Sequence, residues 1–376
     1  MRKGKMEEKD FTSLFKDQKI LVTGGTGTVG RAIVEELLKH DPTVIRIYSR
    51  DESKQFAMAH DLNHHPKLRF LIGDVRDAKR IQYALEDIDI VFHCAGMKHV
   101  PACEYNPFEA VKTNVIGTQN LIEAVFNEKV KKVIFTGTDK AANPTNTMGA
   151  TKLLAERLIS SANFYKGNRD TIFTSIRFGN VMGSRGSVIP LFRRQIEKGG
   201  PVTVTDGDIT RFMMTTKDAV RLVFLATELA KGGEVFTLKM PALRLGDLID
   251  VMITELAPKF GFEPEEIKIE QIGLRPGEKT YEEILTEADA KNAYENDYMY
   301  ITPPVIMQDT FSSRYPNCRK VEERTYTSND FPLLSKSEIR NLLEREGLLK
   351  GDNGLKSLLL LHKVPDIDVI KELLAE

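Results

Sequence analysis

Thr23-Gly24-Gly25-Thr26-Gly27-Thr28-Val29-Gly30 follows the apolar run Lys19–Thr23 (KILVT) and leads into Arg31–Lys39. In that second stretch Ile33, Val34, Leu37 and Leu38 recur at helical spacing. A short apolar run that ends in glycines reads as a buried parallel strand. Gly24, Gly27 and Gly30 then form a GxxGxxG loop between strand and helix. The first glycine allows a tight turn, the second lets backbone N–H groups approach phosphate, and the third lets helix and strand pack closely. With the partial positive charge of a helix N-terminus behind it, such a loop holds the pyrophosphate of a dinucleotide. No Lys-Ser or Lys-Thr follows Gly30, which excludes a P-loop.

Outward from the loop the pattern repeats. Strands are expected at Val44–Tyr48, Leu68–Ile72, Ile88–His93, Lys132–Phe135 and Thr171–Arg177. Helices are expected at Gln55–Asn63, Ala78–Leu85, Pro107–Asn127 and Met148–Tyr165. This alternation predicts an α/β fold, a Rossmann doubly wound parallel sheet whose ligands lie beyond the carboxyl ends of the strands. After about residue 180 turn-rich pieces mix with helices at Lys217–Ala230 and Leu245–Leu256. The expected division is a polar arm over 1–17, with one helical turn around Phe11–Phe15, and a dinucleotide-binding domain over 18–180 to which some later segments return. A smaller mixed substrate-binding lobe covers 181–335 and a C-terminal helical extension 336–376, with helices at Ser337–Arg345 and Ile367–Leu374.

Composition narrows the function classes. The 376 residues are 41% hydrophobic and 28% charged, with net charge -1, so there is no basic field for nucleic acid. Cys94, Cys103 and Cys318 form no CxxC pair and are odd in number, which argues against a disulfide framework or a metal site and fits a reducing cytoplasm. The N-terminal stretch lacks the apolar run of a signal peptide, and the longest apolar run, Leu222–Ala226, cannot span a bilayer. A cytoplasmic protein without a membrane span is expected.

The end of the second strand bears on the cofactor. Ser49 and Arg50 favour the 2′-phosphate of NADP, while NAD remains the alternative if Asp51 takes the ribose. Asp74-Val75 should border the adenine, and Ala95-Gly96 the nicotinamide side. The fifth strand ends in Thr136-Gly137-Thr138-Asp139-Lys140, and Met148 and Lys152 follow on a helix. Thr138, Asp139, Lys140 and Lys152 thus gather where a substrate would meet the nicotinamide, although taken alone such a run of mixed charge is as often an ordinary solvated loop.

These segments resemble the extended short-chain dehydrogenase/reductases. Within them the chain is similar to the UDP-N-acetylglucosamine 4,6-dehydratases of bacterial polysaccharide and glycan biosynthesis. The resemblance rests on YSRDE (48–52), KHVP (98–101), TNVIGT (113–118), TDKAANPTNTMGATK (138–152), RFGNVMGSRGSVIP (177–190), TRF (210–212) and GLRPGEK (273–279). It implies a UDP-sugar substrate, a tightly bound and recycled NADP or NAD, and a homo-oligomer. Hydride leaves the sugar C4, the C5 proton and C6 hydroxyl are lost, and hydride returns to C6, giving a 4-keto-6-deoxy sugar.

Residue by residue, the resemblance implies a cofactor site of Thr23, Gly24, Gly27, Thr28, Val29, Gly30, Ser49, Arg50, Asp74, Val75, Ala95, Gly96, Lys98, Asn114 and Lys152. It implies a substrate site of Lys98, His99, Asn180, Val188, Pro190, Arg211, Arg275 and Glu278. Asn180, Arg211 and Arg275 would meet the pyrophosphate, Glu278 the uridine ribose, and the Val188–Pro190 backbone the base. Thr138, Asp139, Lys140, Met148 and Lys152 are the catalytic set. Lys140 suits the C5 base if burial and Lys152 lower its pKa, and otherwise stands as an ion pair with Asp139. Asp139 suits the acid at C6 if its pocket raises its pKa. Met148 occupies the usual catalytic tyrosine position, and a thioether cannot take a proton. Asp139, or a relay through Thr138 and water, would then deprotonate the C4 hydroxyl. Likeness to Met-bearing members implies retention at C5. A 4-epimerase on the same fold and a catalytically silent NADP-sensing protein are the alternatives.

Overall fold

The computed structural model describes residues 9–274, 277–304 and 311–351. Six parallel strands form its centre: β1 (Lys19–Thr23), β2 (Val44–Ser49), β3 (Leu68–Ile72), β4 (Ile90–His93), β5 (Lys132–Thr136) and β6 (Ile172–Arg177). Their order is β3-β2-β1-β4-β5-β6 with every neighbouring pair parallel, which is the doubly wound Rossmann arrangement. Ile20, Leu21 and Val22 of β1 are fully buried, as a strand covered on both faces requires. The order reverses between β1 and β4, so the loops after these strands meet at one crevice, and the sequence motifs fall there.

Beyond β6 the sheet continues with Val235–Leu238, parallel to β6, and then antiparallel Met299–Thr302, Tyr294–Glu295 and Arg319–Lys320. A second lobe holds three small sheets and its own core, in which Phe192, Met213, Leu248 and Met252 pack together. The helix Lys336–Arg345 contributes Ile339 and Leu343 to that core, so it is part of the lobe and not an appendage. Ile367–Leu374 lies outside the described residues.

Two local expectations change. The described part of the N-terminal arm is anchored: Phe15 is fully buried and its ring centroid lies 4.5 Å from that of Phe224. The expected helix over 107–127 is interrupted by a π-helical stretch at Val111–Ile116, which turns Thr113 and Asn114 into buried positions. Such insertions concentrate at functional sites.

The helix Thr147–Tyr165 carries Met148 and Lys152 one turn apart on one face. The Asn146 side chain caps it by accepting from Gly149 N–H, a contact worth about 1 kcal/mol. Its middle is tied to the end of β6 by a buried pair: Arg177 Nε and Nη2 donate to Glu156 at 2.8 and 2.7 Å. Arg177 Nη1 also reaches Asp289 at 2.7 Å.

Candidate active site

The crevice contains two adjoining cavities. The first, of about 1190 Å³, is lined by the glycine loop, the ends of β2 to β5 and Lys152. Gly24 has φ of +65°, and a Cβ there would lie 2.8 Å from Ala95 N. A Cβ on Gly30 would lie 2.5 Å from the Gly24 carbonyl. The helix Thr28–Leu37 starts at Gly27 without a side-chain cap, so its first N–H groups face the cavity with no side-chain acceptor. The residues fit a dinucleotide: close backbone approach and a positive helix end sit where a pyrophosphate belongs.

Thr28, Val29, Ser49, Arg50, Asp74, Val75, Ala95, Gly96 and Lys98 also line this cavity. Thr23 and Asn114 do not. Thr23 is fully buried, with Oγ1 2.7 Å from His93 Nδ1. Asn114 Oδ1 accepts from Met97 N–H at 2.7 Å, and its amide nitrogen donates to Thr151 Oγ1 at 3.0 Å. Both act as framework beneath the cofactor wall. At the β2 end, Asp51 is occupied as an N-cap, accepting from Lys54 N–H at 3.0 Å. Arg50 is 61% exposed, with Nη1 3.8 Å from Asp74. His93, held between Thr23 and Thr118, is neutral, its pKa depressed by burial to about 3.

The second cavity, of about 820 Å³, lies between the lobes. Lys98, His99, Lys140 and Asn180 line both cavities. Thr138, Met148 and Lys152 face only the cofactor side, and Asp139 only the substrate side. Arg211, Glu278 and Val188 line the second cavity. Pro190 does not; it sits further along the first turn of the helix Val188–Glu197. Arg275 lies outside the described residues.

At the junction is a charged cluster. Asp139 Oδ1 accepts from Thr138 Oγ1 at 2.8 Å and from Lys140 N–H at 2.8 Å; buried Oδ2 receives no N–H or O–H, and the carboxyl is hydrogen-bonded to that of Glu282. Lys140 Nζ lies 3.2 Å from Asp139 Oδ1, 3.3 Å from Asn180 Oδ1 and 2.8 Å from Glu282 Oε1. Arg211 Nε is 3.2 Å from the same Glu282 oxygen. Burial and the neighbouring Glu282 carboxylate raise the Asp139 pKa, so this acid holds its proton. Burial alone would lower the Lys140 pKa, but Asp139 and Glu282 outweigh it and the shift is upward. The expected lowering of Lys140 is thus not found: Lys140 stands as a cation. Lys152 does move down, to about 8, through burial.

Met148 is buried against Cys103 and Ala110. Glu282 was not among the residues expected from sequence. Its only local signal is its place in TYEEIL, directly after the GLRPGEK segment.

The model of a polysaccharide biosynthesis protein family matches residues 20–304. The chain is 52% identical over 335 residues to an uncharacterized membrane protein of Methanocaldococcus jannaschii, covering 89% of this chain and 98% of that one. It is 43% identical over 295 residues to a UDP-N-acetylglucosamine 4,6-dehydratase (inverting) of Campylobacter jejuni, covering 78% and 85%. It is 41% identical over 338 residues to a UDP-glucose 4-epimerase of Rickettsia rickettsii, covering 88% and 96%. The X-ray structure of Pen from Bacillus thuringiensis superposes with a TM-score of 0.84 at 49% identity, covering 89% and 99%. The chain belongs to the polysaccharide biosynthesis protein family. Among its described residues, no helix is long and apolar enough to cross a membrane.

Proposed function

We propose that this member of the family is a UDP-N-acetylglucosamine 4,6-dehydratase that keeps NADP bound through turnover. The observation that carries the reading is the Thr138-Asp139-Lys140 strip. It crosses from the cofactor cavity to the substrate cavity and presents a held acid beside an ammonium group. A 4-epimerase needs the hydride step but no acid to expel water, so a protonated buried carboxyl at the junction favours dehydration.

A bound nicotinamide dinucleotide supplies the hydride acceptor for C4 and the donor for C6. Lys152, with Nζ 4.8 Å from the Phe135 ring centroid, adds positive charge beside the nicotinamide ribose. Asp139, already protonated and with Oδ1 fully engaged, is a poor first base. The C4 hydroxyl proton therefore leaves through Thr138 and water, with Met148 serving as an apolar wall. Asp139 protonates the departing C6 hydroxyl, and Lys140 handles the C5 proton. Arg211 and Asn180 hold the pyrophosphate, and Glu278 the uridine ribose. Arg50 meets the 2′-phosphate, a reading supported by the use of Asp51 as a cap. The Met148 likeness favours retention at C5, in contrast to the name of the Campylobacter relative.

The test is proton NMR of the product formed from UDP-N-acetylglucosamine. A new C6 methyl group supports the proposal, and UDP-N-acetylgalactosamine as the sole product overturns it.

A further inference from the structure

Glu282 is 6% exposed and comes from the far lobe, yet it completes the cluster around Asp139. Its carboxylate contacts Lys140 Nζ at 2.8 Å and Arg211 Nε at 3.2 Å. The charged groups facing Asp139 are Lys140 on its own loop and Glu282 and Arg211 across the cleft. Every observed N–H or O–H donor to Asp139 goes to Oδ1, and the Asp139 carboxyl is hydrogen-bonded to the Glu282 carboxyl. Two ionised carboxylates could not make that contact, because neither has a hydrogen to donate. A proton on Oδ2 removes the conflict, since two adjacent carboxylates cannot both ionise easily.

Resting on the dehydratase reading, we propose that Glu282 is the positioning residue of this site: it stays ionised, keeps the acid proton on Asp139 and holds the Lys140 ammonium beside that acid. Lys140 gives its ammonium proton to water as the sugar binds, which leaves a neutral amine to take the C5 proton. Asp139 O–H then breaks, its proton goes to the C6 oxygen, and the C6–O bond breaks as the C5 electron pair forms the C5=C6 bond. Lys140 returns its proton to C5 after hydride arrives at C6. The two protons released to water, from the C4 hydroxyl and from Lys140, are matched by the two that Asp139 and Lys140 take up at the end of the cycle.

The test begins without substrate. Infrared spectra of the full-length protein are recorded across neutral pH for wild type, Glu282→Gln and Asp139→Asn. A protonated-carboxyl band is expected in wild type and should vanish in both variants. Persistence of the band in Glu282→Gln overturns the proposal. Should that variant not fold, absence of the band from wild type at neutral pH overturns it equally. With substrate, kcat of Glu282→Gln should fall by about 100-fold with KM little changed. Its alkaline limb should move down by about one pH unit or more, and Glu282→Asp should recover part of the rate. An unmoved limb overturns the catalytic half. Failure of the dehydratase reading itself is distinguishable, because wild type would then show the band but form no C6 methyl product.

Discussion

Lys152 Nζ lies 3.3 Å from the Thr136 carbonyl oxygen, in the wall of the first cavity and almost wholly out of water. Burial lowers its pKa from 10.5 to about 8. The unfolded chain therefore holds more protons than the folded one between those values, and stability rises with pH through that window. Below about 8 the whole burial cost is present, roughly 3 kcal/mol at 1.36 kcal/mol per unit. Lys152→Met should therefore raise the melting temperature of the cofactor-free protein near neutral pH and lose that advantage above the window. It should also cut turnover by at least about tenfold. Calorimetry across pH checks the first expectation, and steady-state rates the second.

Thr138 and Met148 should respond oppositely to substitution. Thr138→Val removes the hydroxyl that lines the cofactor cavity and donates to Asp139, and kcat should fall by about 100-fold or more. Met148→Leu conserves volume in the contact with Cys103 and Ala110 and should leave kcat within about tenfold. Single-turnover measurement of hydride transfer checks both, and a large loss in Met148→Leu would show that the thioether does more than fill space.

Arg50 is exposed and only loosely held by Asp74. Arg50→Ala should weaken NADP by about tenfold and leave NAD nearly unchanged, because one charge-assisted contact to phosphate is removed. Fluorescence titration of the two cofactors into cofactor-stripped protein reads the difference.

Arg177 joins the catalytic helix to β6 through Glu156, and both side chains are almost fully buried. Arg177→Met leaves Glu156 as an uncompensated buried charge, a change that costs about 3–5 kcal/mol. Urea unfolding should show that loss. The Glu156→Gln companion on the Arg177→Met background should recover part of it.

The glycine loop made the sheet legible, because a strand, three spaced glycines and a helix leave few other arrangements. The strip at 138–140 was legible for the same reason: it follows a strand at the ligand end of the sheet. Other features carried no local signal. The π-helical stretch at Val111–Ile116 leaves the apolar spacing of one long helix almost intact, so the framework role of Asn114 was hidden. Glu282 reaches Lys140 across 142 positions in sequence, and only the folded chain brings its carboxylate to the amine. The state of Lys140 followed from that contact: burial alone predicts a lowered pKa, and two carboxylates reverse the sign. Phe11 and Phe15 looked like part of a polar arm because two aromatic residues in a charged stretch give no periodicity.

The most direct test of the account follows the hydride. UDP-N-acetylglucosamine carrying deuterium at C4 is turned over in ordinary water, and the product is read by NMR. The account predicts a 4-keto product whose C6 methyl carries the deuterium, with C5 bearing a proton from the enzyme or solvent. Deuterium found back at C4 of an epimerised sugar with its C6 hydroxyl intact would contradict it.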